Sequence, residues 1–134
     1  MATVFTKIIQ GEIPCYKIAE NEDYFAFLDI RPASKGHTLV VPKAEVDYLF
    51  DLSDETLAGL MLFARTVARA IDRALDTVRT AVIVEGLEVP HAHVHLIPMY
   101  TDHKNVTLSR PVSVDAQQME QLAKAIYAEW ARGE

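Results

Sequence analysis

Only one cysteine, Cys15, occurs in the 134 residues, so no disulfide can form within the chain and no cysteine-cluster zinc site can be built. The N-terminus lacks the charged-then-apolar pattern of a signal peptide, and no apolar run reaches membrane-spanning length. A cytoplasmic protein without membrane contact is the expectation. Internal repeats, low-complexity stretches and linker-like segments are also missing, which predicts a single domain over residues 1–134. Positive charge is in deficit: 13 Lys and Arg against 19 Asp and Glu give a net charge of −6. That excludes a protein built mainly to neutralise nucleic-acid phosphates. A small phosphate ligand held by a few local groups is still allowed.

What is present is ordinary globular composition, half hydrophobic and about a quarter charged, in a chain long enough to bury a core. Residues 3–9 suggest a short helical turn, broken by Gly11 and Pro14. A short strand is expected over Tyr16 to Glu20. The aromatic-rich run from Tyr24 to Ile30 reads as a strand ending before Pro32. Arg31 to Gly36 has turn chemistry, and His37 to Val41 reads as a further strand stopped by Pro42, so the two make an antiparallel pair. Ser53 is a good N-cap, and Asp54 and Glu55 suit the positive end of a helix. Leu57, Leu60, Met61, Ala64, Val67, Ala68, Ile71 and Leu75 follow a helical stripe, predicting a helix of about 54–76. Thr80 to Val84 reads as a strand, with Gly86 turning the chain toward the next one. Met119, Leu122, Ile126 and Trp130 repeat at spacings of three and four, predicting a C-terminal helix from about Asp115. The pattern implies an α+β fold: an antiparallel sheet of about five strands packed with one long central helix and a C-terminal helix.

The most informative run is His91-Ala92-His93-Val94-His95-Leu96-Ile97-Pro98-Met99-Tyr100. Alternate residues of a strand share a face, so three imidazoles would line one side and Ala92, Val94 and Leu96 the other. Such a face can be simply solvated, although three histidines together must be either wet or satisfied. It can hold a metal, with His37 as a further ligand. It can act in nucleophilic catalysis, a central imidazole attacking phosphorus while its neighbours fix tautomers and handle protons. Spacing leaves the last two open.

His91 to Ile97 resembles the motif of the histidine triad (HIT) family, His-φ-His-φ-His-φ-φ with φ apolar. Val4 to Pro14 resembles the family's N-terminal segment, and Ala26 to Pro32 followed by Gly36 to Lys43 is similar to its central strand pair. These stretches cover most of residues 4–98 in the expected order. The resemblance is to the Hint branch of nucleotide-binding hydrolases, and it implies hydrolysis of nucleoside 5′-monophosphate derivatives at the α-phosphate, with a purine nucleotide as substrate. It makes His93 the nucleophile of a nucleotidyl-histidine intermediate, and His95 a group that hydrogen-bonds the phosphate or leaving group. His91 sets orientation, and His37 joins the proton network. Asp29 matches a residue that holds the ribose hydroxyls, and Phe5, Phe27 and Ile30 match apolar positions around the base. No cofactor is implied, and a homodimer with its sheets joined is.

Three departures stand out. Many bacterial relatives carry a Cys-X-X-Cys pair near the N-terminus that helps bind zinc; Thr3 and Thr6 stand at those positions, so no structural metal is expected. Glu88 occupies the place of a small hydroxyl residue three positions before the triad, and Pro90 directly precedes His91. The usual polar, Gly-rich loop is replaced by Val84-Glu85-Gly86-Leu87. Glu88 beside a phosphate implies a cationic leaving group, such as a lysine-like amine. The alternatives are cleavage of dinucleoside polyphosphates, as in the Fhit branch, a nucleotide-binding scaffold dimer with little turnover, and a metal module of His37, His91 and His93.

Overall fold

The structure, a computed structural model, describes residues 2–133. Helix α1 spans Val4–Ile9, strand β1 Lys17–Glu20, β2 Tyr24–Leu28 and β3 Thr38–Pro42. The long helix α2 covers Asp54–Ala74, followed by β4 Arg79–Ile83, β5 Val94–Met99 and helix α3 Ala116–Arg132. The five strands form one antiparallel sheet in the order β1-β2-β3-β5-β4. The expected α+β architecture is therefore present. No helix among the described residues is long and apolar enough to cross a membrane.

Helices α2 and α3 cover one face of the sheet. Ser53 accepts the Thr56 N–H at the start of α2, a cap worth about 1 kcal/mol. Packing contributes far more: Leu60, Phe63, Val67 and Ile71 are buried, each worth roughly 1.5–3 kcal/mol of transfer free energy. The stripe differs from the expected one in including Phe63 and Ala70 and in leaving Met61 out. Phe63, which follows the i, i+3, i+4 rhythm from Leu60, packs inward, while Met61 is turned about 100° away and is 41% exposed. Asp115 and Gln118 close a capping box at the start of α3, which lays Met119, Ala123 and Ile126 against the core. Trp130 donates its indole N–H to Thr66 Oγ1 (3.0 Å) and packs edge-on to Phe63, locking α3 to α2.

The opposite face carries a smaller apolar cluster of Phe5, Phe25, Phe27, Leu39 and Val41. Strand β2 is buried on both sides because its alternate residues enter different cores: Tyr24, Ala26 and Leu28 pack under the helices, and Phe25 and Phe27 under α1. In β5 the same alternation puts Val94 and Leu96 in the main core and His95 on the α1 side, paired with Leu39 of β3 and Ile83 of β4. Regular pairing in β5 begins only at Val94, three residues later than the histidine run. The backbone of His91 and Ala92 is instead engaged by Val89 and Val46, which draws the chain out of the ladder just before the strand.

Candidate active site

Two segments fix the histidines. The β2–β3 turn holds His37: Asp29 N–H donates to the His37 carbonyl (2.9 Å), and His37 N–H to that of Ser34 (3.1 Å). The turn is stapled to the C-terminal end of β5 and beyond. Ser34 Oγ donates to the Pro98 carbonyl (2.6 Å) and Tyr100 Oη to that of Lys35. His103 Nε2–H donates to the Ala33 carbonyl (2.9 Å) and Val112 N–H to that of Pro32 (2.8 Å). Gly36 sits at φ +90° inside this staple, where a Cβ would lie 2.6 Å from Leu75 Cδ1, so only glycine fits.

The hydrogen bonds determine each ring's tautomer. Ala33 N–H donates to His37 Nδ1 (2.9 Å), so the His37 proton must reside on Nε2. That nitrogen lies 2.9 Å from His95 Nδ1 and donates to it, which leaves the His95 proton on Nε2. Burial holds both rings neutral, with pKa values pushed down to about 4. His93 is set the opposite way: its Nδ1 faces the His91 carbonyl at 2.7 Å and must donate, so the neutral ring carries its lone pair on Nε2. Among the described residues no buried side-chain nitrogen or oxygen lacks a partner. The free Nε2 atoms of His93 and His95 are accordingly the ones open to the cavity. The site thus places a lone pair and an N–H side by side, on rings whose centroids are 5.0 Å apart.

That cavity, of about 710 Å³, is walled by Asp29, Arg31 and His37 on one side and by Ile83 and residues 85–88 on another. Residues 106–109 form a third wall, and His93 and His95 line it as well. Asp29 Oδ1 accepts the Arg31 N–H (2.8 Å), and Oδ2 lies 3.6 Å from His37 Nε2. Burial raises the Asp29 pKa, against the lowering effect of the Arg31 N–H. Asp29, His37 and His95 bring their ligand atoms within 4.8 Å of one another, a spacing that suits a cation. Both nitrogens of His37 are already engaged, however, so the trio is a hydrogen-bonded imidazole pair with a carboxylate beside it rather than a ligand set.

The structure gathers His37, His93, His95, Asp29 and Glu88 around the cavity but not the other candidates. His91 is fully buried, its Nε2–H donating to the Pro42 carbonyl (2.7 Å) and its Nδ1 accepting from Thr3 Oγ1 (2.7 Å). Phe5 and Phe27 meet edge-on in the smaller core, and Phe5 also packs on the edges of His91 and His93. Ile30 is 77% exposed beside the turn. Sequence reading missed Arg31, Ile83 and the whole wall of 106–109; that last segment has no motif and is flanked by the His103 and Val112 staples.

Comparison with known proteins points to the same family as the histidine run. The HIT domain model matches residues 10–102. The chain belongs to the HIT family. It is 39% identical over 99 residues to an adenosine 5′-monophosphoramidase of Schizosaccharomyces pombe, covering 73% of this chain and 74% of the relative. A Saccharomyces cerevisiae adenosine 5′-monophosphoramidase is 35% identical over 131 residues, 95% of this chain and 82% of that one. Among solved structures, a zinc-bound histidine triad family protein from Mycobacterium smegmatis superposes with a TM-score of 0.84 at 30% identity, over 98% of this chain and 95% of the other. As a HIT protein similar to adenosine monophosphoramidases, the chain is a nucleotide hydrolase.

The solved M. smegmatis neighbour is zinc-bound, but the residues near Thr3 and Thr6 in this chain do not fit a zinc site. Thr3 and Thr6 supply hydroxyls rather than thiolates, and both are hydrogen-bonded within the protein. The one imidazole nitrogen beside them, His91 Nδ1, is occupied by the Thr3 hydroxyl.

Proposed function

We propose that the protein hydrolyses nucleoside 5′-phosphoramidates, in particular amine or aminoacyl adducts of AMP, through a covalent nucleotidyl-histidine. The observation that carries this reading is the opposed tautomers of His93 and His95. The lone pair on His93 Nε2 attacks the α-phosphorus, forming an N–P bond as the P–N bond to the leaving amine breaks. The departing nitrogen takes the His95 Nε2 proton. The His93 ring gains a positive charge on forming its bond, which offsets the proton lost by His95, so the pair's total charge is unchanged. Water then attacks phosphorus, returns one proton to His95 Nε2 and releases the electron pair to His93, giving the monophosphate and the free amine overall. Because the donors are fixed by backbone groups before substrate arrives, little reorganisation is needed at the moment of reaction.

Asp29, at the cavity wall, holds the ribose hydroxyls, a role suited to a two-oxygen acceptor. Glu88 on the facing rim selects a cationic leaving group and disfavours dinucleoside polyphosphates. Two copies pair through the exposed edge of the sheet, where β4 leaves Val82 half exposed. The decisive experiment is incubation with adenosine 5′-phosphoramidate, rapid quenching and intact mass measurement. An adenylylated chain with the adduct on His93, absent from His93→Asn, supports the reading. Product without adduct under several quench conditions overturns the covalent route, and binding without product overturns the enzyme.

A further inference from the structure

We propose that Glu45, with Thr3 and Thr6, forms a metal-free clasp that positions His91 and, through its carbonyl, the His93 ring; the kinetic part of this proposal rests on the reading of His93 given above. A single carboxylate oxygen, Glu45 Oε1, accepts from the Thr3 N–H (2.8 Å) and from the Thr6 hydroxyl. Thr3 is also the N-cap of α1, its Oγ1 accepting the Thr6 N–H at 3.0 Å. The one hydrogen of the Thr3 hydroxyl goes to His91 Nδ1 at 2.7 Å rather than to Thr6 Oγ1 at 3.2 Å, because His91 spends its own proton on the Pro42 carbonyl and leaves Nδ1 an acceptor.

Helix α1 has only six residues, far too few to hold a helix in water unaided. Its place beside the triad therefore depends on these contacts, on Ile8 and Ile9 packed against the smaller core, and on Phe5, which lies edge-on to His93 with centroids 5.0 Å apart. The His91 ring is gripped at both nitrogens, by Thr3 on one side and by the Pro42 carbonyl on the other. Holding the ring holds the residue's backbone, and the His91 carbonyl is the acceptor that keeps the His93 proton on Nδ1. Thr3, Thr6 and Glu45 touch no cavity wall and are positioning residues. Two hydroxyls and a carboxylate thus tie α1 to the triad where zinc would in relatives with the cysteine pair.

The test uses the full chain and the variants Thr3→Val, Thr3→Ser, Glu45→Ala and Glu45→Gln, read by imidazole ¹⁵N NMR and by steady-state turnover of adenosine 5′-phosphoramidate. The wild-type protein should show single tautomers, Nε2–H for His91 and Nδ1–H for His93, and should keep its melting temperature and turnover after chelation. Thr3→Val should mix the His93 tautomers and lower kcat about tenfold, the size of effect expected when one buried hydrogen-bond partner is removed, with KM changed much less. Thr3→Ser and Glu45→Gln should restore both, because each keeps the required donor or acceptor, whereas Glu45→Ala should behave as Thr3→Val does. Unmixed His93 tautomers in both Thr3→Val and Glu45→Ala would overturn the clasp, as would loss of stability on chelation restored by zinc. If the wild-type protein turns over no phosphoramidate, the functional reading fails, while the NMR comparison still judges the clasp.

Discussion

Acid should destabilise this protein well above the range in which carboxylates titrate, and the His37–His95 pair gives the size of the effect. Each ring titrates near 6.5 when exposed in the unfolded chain and at about 4 in the fold, where burial disfavours the cation. Between those values the unfolded chain binds protons that the folded one refuses. Stability is therefore full above pH 6.5 and is lost as the pH falls toward 4. Linkage gives about 2 kcal/mol per ring between pH 8 and pH 5, rising to about 3 kcal/mol near pH 4. Because the two rings share one hydrogen bond, the pair should cost about 2–4 kcal/mol at pH 5, a large share of an ordinary domain's stability.

Urea unfolding followed by circular dichroism at pH 8, 6.5, 5.5 and 5 measures this directly. His91, also held neutral by burial, adds in the same sense, and Asp29, raised by burial, opposes it. His37→Gln removes one titrating ring while keeping an acceptor for Ala33 N–H and a donor for His95, so the difference between variant and wild type isolates the pair. The variant's loss between pH 8 and pH 5 should be smaller by about 2 kcal/mol. A wild-type stability that changes by less than about 1 kcal/mol over that interval, or an identical slope in His37→Gln, would refute the reasoning.

Three further outcomes are expected. Phosphoramidates of AMP with a lysine-like amine should turn over faster than those with an anionic amine, by up to about fivefold for a solvent-exposed charge. Glu88→Gln should level the two rates, and equal turnover in the wild-type protein would end the idea. Gly36→Ala should cost about 1–3 kcal/mol from positive φ and the clash with Leu75, and should lower activity because His37 follows directly; an unchanged melting temperature would refute it. Sedimentation velocity should give a dimer of the 15.0 kDa chain, and Val82→Asp on β4 should dissociate it. A wild-type monomer at every concentration would refute the pairing.

Periodicity made the sheet and both long helices readable because each has one buried face and a regular rhythm. The errors fall where another force sets the boundary. Helix α2 ends at Ala74, just before the extended Leu75, rather than at 76, and Asp72 turns back to accept from Thr77 and Thr80. The histidine run enters its strand late because Val89 and Val46 claim the backbone before it. In and behind the site, His37, the three triad histidines and Asp29 were legible as residue types in a pattern, His91 lying behind the cavity rather than on it. Glu45 was not, because it reaches Thr3 across 42 positions, and Thr3 reaches His91 across 88. Long-range hydrogen bonds between unlike residues leave no periodic trace.

The same limit explains why the triad reads as three equal imidazoles and folds as three unequal ones. Alternation along a strand can assign only a face, and all three rings share it. What separates them is the partner of each second nitrogen: a hydroxyl and a carbonyl for His91, a carbonyl for His93, another imidazole for His95. A carbonyl can only accept and an amide N–H can only donate, so these backbone partners leave each ring one choice. The His91 carbonyl makes Nε2 of His93 a lone pair, and Ala33 N–H, acting through His37, makes Nε2 of His95 a donor. The two rings cannot exchange roles by rotation of a proton, since each exchange would set two donors or two acceptors face to face in a buried site, at about 1–3 kcal/mol apiece. Nucleophile and proton donor are therefore assigned by main-chain groups at positions 91 and 33, and through them by whatever holds those two peptides in place.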